Sequence, residues 1–448
     1  MNRKSGIAAI TLRSLIGLSL IVAACGGSDD ESGADVTDLA TNTTPNSADD
    51  SSTGSTAPGE IRQTLRIGFA YEDVGAFAIL NDKFSIGDPE LQAAAVLQAW
   101  RRDGELPMNG IDLEFVYVKF NQLSPEDQIG ACTRLAEDEE VFAVIASRDF
   151  QVGAQCLAER YDIPVIDSSG LAQSDYQRGA PWLFTVRADQ SQVMESFVAW
   201  ADKQGAFDGK RIGLYWDTRS EEAADAFKAA LADIGIEVAS DLPSDGEGIG
   251  SPQDAIVVQR FVADGADLAI LMVGTSSVTN FLASAEQQGY SPALLFPEWA
   301  NQLQDVSTQS FPQSLVDGAE AMTMSRVGEI AAGFDLNPRA VECLDNYEAF
   351  SGDDLPLVSP ESGEMGQTLF TCDLMSILLE GLRNAGGNPT KESFVAALEM
   401  ITDFPLAAWG NLTFSPDDHA GVDQVRTIRW ATACECWTAE GEFEDPRI

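Results

Sequence analysis

Basic side chains are scarce in this sequence. Its 448 residues hold 27 Lys and Arg against 71 Asp and Glu, a formal net charge of −44. Such a chain has no basic face with which to release counterions from a nucleic acid, which excludes nucleic acid as its main partner. The same scarcity argues against a polybasic membrane-surface protein. Histidine is scarcer still, with His419 alone. Haem and zinc enzymes that rest on several histidines are excluded. The apolar run at residues 15–24 is too short for a permanent bilayer span. There is no G-x-S-x-G elbow, Walker loop or H-E-x-x-H helix. Residues 246–250 (GEGIG) lack the dinucleotide spacing and read as a turn. Carboxylate pairs are abundant through composition alone and point to no glycosidase. The chain is therefore expected to be no enzyme and to carry neither cofactor nor metal.

What is present begins at the N-terminus. Arg3, Lys4 and Arg13 precede the apolar run, which ends in Val22-Ala23-Ala24-Cys25-Gly26. A basic start and a short apolar core are the marks of a signal peptide. The small residues before Cys25 resemble a bacterial lipobox, which implies a lipoprotein signal peptide over 1–24 and lipidation at Cys25. A tract rich in Ser, Thr, Gly and Asp follows, without Lys or Arg up to residue 61. It cannot bury enough apolar surface to fold, so 25–62 reads as a disordered acidic tether.

Six further cysteines remain: Cys132, Cys156, Cys343, Cys372, Cys434 and Cys436. An even number in an exported chain suggests disulfides. Sequence order favours Cys132–Cys156 and Cys343–Cys372, leaving Cys434 and Cys436 to pair in a tight ring or stay reduced. A zinc site there is the weaker reading, since only His419 could join it and no C-x-x-C occurs.

The body alternates strand and helix twice. Apolar runs at 65–70, 113–119, 141–146, 164–166 and 183–186 are separated by helix-like stretches near 91–102, 125–137 and 152–161. Near-continuous apolar strands between amphipathic helices indicate a parallel sheet covered on both faces. The pattern restarts with helices near 192–203, 254–263 and 278–288 and strands near 211–216, 236–240, 268–273 and 293–296. Between them, Ala223, Phe227, Ala230, Leu231 and Ile234 lie on one helical face. Helices near 338–350, 366–385 and 391–400 and strand-like pieces at 411–414 and 424–430 complete the body. Two consecutive units of this kind predict two doubly wound α/β lobes.

Five stretches carry a family resemblance: 65–75 (LRIGFAYEDVG), 130–144 (GACTRLAEDEEVFAV), 163–170 (IPVIDSSG), 210–235 and 410–418 (GNLTFSPDD). Their order and spacing resemble the type I periplasmic solute-binding proteins of ABC importers, the leucine/isoleucine/valine and amide-binding family. The resemblance implies a clamshell of two doubly wound parallel-sheet lobes joined by three crossovers, near Arg187, Met322 and Trp409. Lobe 1 would take 63–187 and 323–408, and lobe 2 would take 188–322 and 409–448.

Ligand would sit in the cleft between lobes. By position, Ser168, Ser169 and Gly170 would grip a polar ligand group. Asp149 and Phe150 stand where the family has a serine-rich carboxylate loop, Thr275 and Ser276 where it often has a tyrosine. Glu298 matches a glutamate that pairs with a ligand ammonium, with Trp299 and Tyr71 as aromatic walls. Leu171 replaces the family threonine, so an amide-like solute is as open as an amino acid. The implied function is a lipid-anchored, monomeric, extracytoplasmic receptor that hands a small solute to ABC permease subunits. The alternative is a sensing module of the same fold with a signalling partner.

Overall fold

The computed structural model describes residues 61–74, 85–244, 252–359 and 363–447. The expected signal peptide, Cys25 and the expected tether up to residue 60 lie outside the described residues, as does the turn expected at 246–250.

Among the described residues thirteen strands follow one another: β1 (Gln63–Glu72), β2 (Ile111–Phe120), β3 (Ala143–Ala146), β4 (Val165–Asp167), β5 (Leu183–Arg187), β6 (Ile212–Asp217), β7 (Val238–Ser244), β8 (Leu268–Met272), β9 (Ala293–Phe296), β10 (Glu320–Thr323), β11 (Ala420–Val422), β12 (Val425–Ala431) and β13 (Cys436–Glu444). They form two sheets. The first has the order β11-β5-β4-β3-β1-β2 and is parallel throughout. The second has the order β13-β12-β10-β9-β8-β6-β7, parallel from β10 to β7 and antiparallel at the β10–β12–β13 edge.

The parallel strands are apolar because both their faces are covered. Every residue of β3 (AVIA) and β8 (LAILM) is buried. In the first sheet Phe69, Leu113 and Ile145 pack with residues of the helices Pro89–Asp103 and Gly363–Ala385. The other face holds Val144 and Val165 with Leu135, Ala154 and Leu157. In the second sheet, Val257, Phe261 and Phe281 cover one face, and Phe197, Phe227 and Leu231 the other.

Helix ends follow local chemistry. Asp88 accepts the N–H groups of Glu90 and Leu91 ahead of Pro89, and Gly104 closes the same helix in the left-handed region at φ 79°. Asp189 and Gln192 form a capping box that opens the helix Gln190–Lys203 just past β5.

All three cysteine pairs are bonded: Cys132–Cys156, Cys343–Cys372 and Cys434–Cys436. The last ties Cys434, in the turn after β12, to Cys436, the first residue of β13.

The strand pairing departs from the sequence reading at the C-terminal side. Residues 411–414 form no strand; Leu412 makes only isolated bridges to Phe404 and Val422. The sheet does not change near Trp409. Ala420 and Val422 still pair with β5 of the first sheet, and the chain enters the second sheet only at Val425. Trp409 instead bridges Ser325, so the chain around Trp409 runs beside the connection that follows β10. β10, β11 and β13 have no counterpart in the sequence reading, and β11 has only three residues. β10 is short, and β13 carries Glu440, Gly441, Glu442 and Glu444, which mask its alternation.

Candidate functional site

In a parallel sheet the loops after the strands converge at one end, which is where open α/β folds bind ligands. Here the loops after β3, β4 and β5 of the first sheet meet those after β6, β8 and β9 of the second across a cleft of about 610 Å³.

The first wall is stitched by hydrogen bonds between loops. After β3 the Ser147 N–H donates to the Ala70 carbonyl, and the Glu72 N–H donates to Ser147 Oγ at 3.2 Å. Asp149 follows with φ 68°, and its N–H donates to Ser169 Oγ at 2.9 Å. The Ser169 N–H donates in turn to Asp167 Oδ1 at 2.5 Å. Gly170 is needed where it stands, since a Cβ there would lie 2.8 Å from the Ala188 carbonyl oxygen. The helix Gln151–Tyr161 has no side-chain cap from Phe150. Gln128 takes that part, its Oε1 accepting the Val152 N–H at 3.0 Å.

The second wall is built the same way. Asp217 ends β6 and accepts from Arg219 Nε at 3.0 Å and Nη2 at 2.6 Å. Beyond β9, Ala300 and Asn301 both adopt positive φ. That turn is held by Gln302, whose amide donates to the Leu271 and Val273 carbonyls at 2.8 Å each. Glu298 accepts the Thr323 hydroxyl at 3.0 Å and also the Met324 N–H. It therefore fixes the exit of β10, one of the connections between lobes.

Of the residues expected from sequence, Asp149, Ser169, Gly170, Glu298 and Trp299 line this one cleft. The others sit elsewhere. Phe150 is fully buried, 4.7 Å from the Phe120 ring, because the turn after β3 directs it into the first lobe's core. Tyr71 donates to Glu90 Oε1 at 2.7 Å, facing the helix Pro89–Asp103. Ser168 is buried behind the wall. Thr275 donates to the Ala300 carbonyl at 2.9 Å; it is Gly274 beside it that reaches the cleft, and Ser276 does not.

Sequence reasoning missed the cations. Arg148, Arg187 and Arg219 line the cleft, each at or within two residues of a strand's C-terminal end. That position, in a chain short of basic residues, was the available signal. The Arg187 guanidinium lies over the Trp409 ring at 4.4 Å, and that of Arg148 over Phe370 at 5.2 Å.

Two acids lie beneath the first wall. Burial pushes the Glu72 carboxyl up to about 7, against the opposing pull of Arg148. Burial likewise raises Asp167 to about 7, against the hydrogen bonds from Ser169. Among the described residues no cluster of His, Cys, Asp and Glu could hold a metal ion. Nor, among them, is any helix long and apolar enough to cross a membrane.

A family model described as periplasmic binding protein matches residues 64–435. No curated protein matches the sequence. Solved structures share the fold at low identity. A leucine-binding protein, LivK, from Thermotoga maritima MSB8 is 14% identical with a TM-score of 0.64, covering 86% of this chain and 100% of its own. A putative branched-chain amino acid ABC transporter structure from Rhodospirillum rubrum is 16% identical at 0.60, covering 84% and 100%. An ABC transporter solute-binding protein from Rhodopseudomonas palustris BisB5, in complex with 3,4-dihydroxybenzoic acid, is 15% identical at 0.60, covering 86% and 98%.

Proposed function

The chain belongs to the periplasmic binding protein family, and from that premise we propose that it captures a small polar organic solute between its lobes and delivers it to an ABC importer. The observation that carries this reading is the cleft itself. Its walls come from both sheets, at the C-terminal ends of their strands, and it mixes charged, polar and apolar side chains. Clefts of that make-up are the usual small-molecule sites. Segments 187–190, 323–326 and 422–425 connect the lobes, so ligand held by both walls would draw them together.

Amino acids and amide-like solutes are the ligand classes implied by the resemblance. The structural neighbours support small organic acids in general, since one is a leucine-binding protein and another holds 3,4-dihydroxybenzoic acid. The test is a thermal-shift screen of the chain against a library of amino acids, amides and organic acids. A ligand that binds only the folded state at a hundred times its Kd stabilises by about 2.7 kcal/mol. At least one solute should raise the melting temperature and lower the radius of gyration in solution scattering. A library that does neither would remove the solute-receptor reading.

A further inference from the structure

The three cleft arginines are not equivalent. Arg219 has a side chain 77% exposed and grips both oxygens of Asp217, so its charge is already answered. Arg187 rests on Trp409. Arg148 also lies over a ring, that of Phe370 at 5.2 Å, and what sets it apart is its polar surroundings. Its side chain is 15% exposed, and its nearest acid, Glu72, lies at 3.7 Å, beyond hydrogen-bond distance. Its Nε is buried without a partner, and its guanidinium donates no hydrogen bond to any described residue. A mostly enclosed guanidinium with idle N–H groups is costly, and its planar fork matches a carboxylate in two parallel bonds.

The cleft also exposes apolar surface. Leu123 is 73% exposed and Val152 38% exposed, and both line the cleft on the side of Arg148. Trp299 lines it from the second lobe, and Met324 from the connection after β10. An apolar body seated there would take Leu123 and Val152 out of water. The acids opposite are engaged by the protein itself: Glu298 by Thr323 and Met324, Asp217 by Arg219.

Building on the solute-receptor reading, we propose that the cleft selects organic monocarboxylates with an aryl or branched-alkyl body. Arg148 takes the carboxylate, the Leu123–Val152 lip takes the body, and no ligand ammonium is required.

The test is calorimetric titration of the full chain with matched probes: benzoate against benzamide and benzylamine, and 4-methylpentanoate against leucine and leucinamide. The two acids should bind. The amides and the amine should bind at least ~10-fold more weakly, the loss expected when a charge-assisted pair is removed. Leucine should bind no more tightly than 4-methylpentanoate. Arg148→Gln should weaken the acids by ~10- to 150-fold, and Arg148→Lys by less, because it keeps the charge but loses the fork. Ligand-free melting curves of both variants separate a lost contact from a lost fold, and the comparison of acid with amide on the unaltered chain needs neither variant. Binding of leucine or an amide without binding of the acids would overturn the proposal while leaving the solute receptor in place. If no probe binds, the proposal also falls. Compaction with another library solute would then keep the receptor reading, and its absence would remove that as well.

Discussion

At the scale of single residues, the notable cost is carried by buried carboxyls. Burial raises Glu72, Asp167 and Asp373 to about 7, although Asp373 accepts the Ala407 and Ala408 N–H groups and Asp167 that of Ser169. A raised carboxyl binds its proton more tightly in the folded chain than in the unfolded one. Its stabilising effect is therefore complete below the unfolded value near 4 and is lost as pH rises through about 7. Asp167 Oδ2 has no hydrogen-bond partner, so Asp167→Asn removes a charge that the Ser169 N–H and the nearby Arg187 only partly offset. The substitution should flatten the pH profile of stability and raise stability at pH 8 by on the order of 2 kcal/mol. Urea midpoints of both forms at pH 5 and pH 8 check this. The net charge of −44 also favours mild acid, but it acts on both forms, so their difference isolates Asp167. An equal pH dependence in the two would mean that Asp167 titrates normally.

At the scale of elements, the disulfide Cys132–Cys156 ties the helix Pro125–Thr133 to the helix Gln151–Tyr161, behind the wall that carries Arg148. The two cysteines are 24 residues apart in sequence, a loop whose closure in the unfolded chain is worth about 3 kcal/mol in the chain-entropy model. Replacing both by Ala should lower stability by ~2–4 kcal/mol with the fold retained, read from the denaturant midpoint and circular dichroism. Peptide mapping that finds both thiols free in the exported protein would contradict the pairing. These helices and the strands they cover were legible in the sequence because apolar runs between amphipathic stretches leave few alternatives to a covered parallel sheet. Ser169, Gly170 and Glu298 could be placed at strand ends for the same reason. Side-chain direction was not legible. Phe150 and Asp149 are neighbours, yet one enters the core and the other lines the cleft, since a turn of positive φ separates their directions. The arginines were passed over because a charge is read as surface until a fold gathers it.

At the scale of the whole molecule, the N-terminal reading becomes an experiment. We propose that Cys25 is lipidated and that the acidic stretch tethers the body to the membrane. Cys25→Ser should move the protein from the membrane fraction to the soluble one. A variant that still sediments with membranes at high salt would refute the anchor. The extracytoplasmic location itself follows from the family.

The late return of β11 to the first sheet bears on how the molecule comes into being. Its outer strand is residues 420–422, and the second sheet is closed by β12 and β13 after it. Neither lobe can be completed from a partial chain. A polypeptide threaded across a membrane from its N-terminus would emerge with both sheets still open at one edge, and long-range pairing of this kind is slow. The late return leaves the edges of β5 and β10 unpaired until β11 and β12 arrive, and an unpaired strand edge is a template for pairing with another chain.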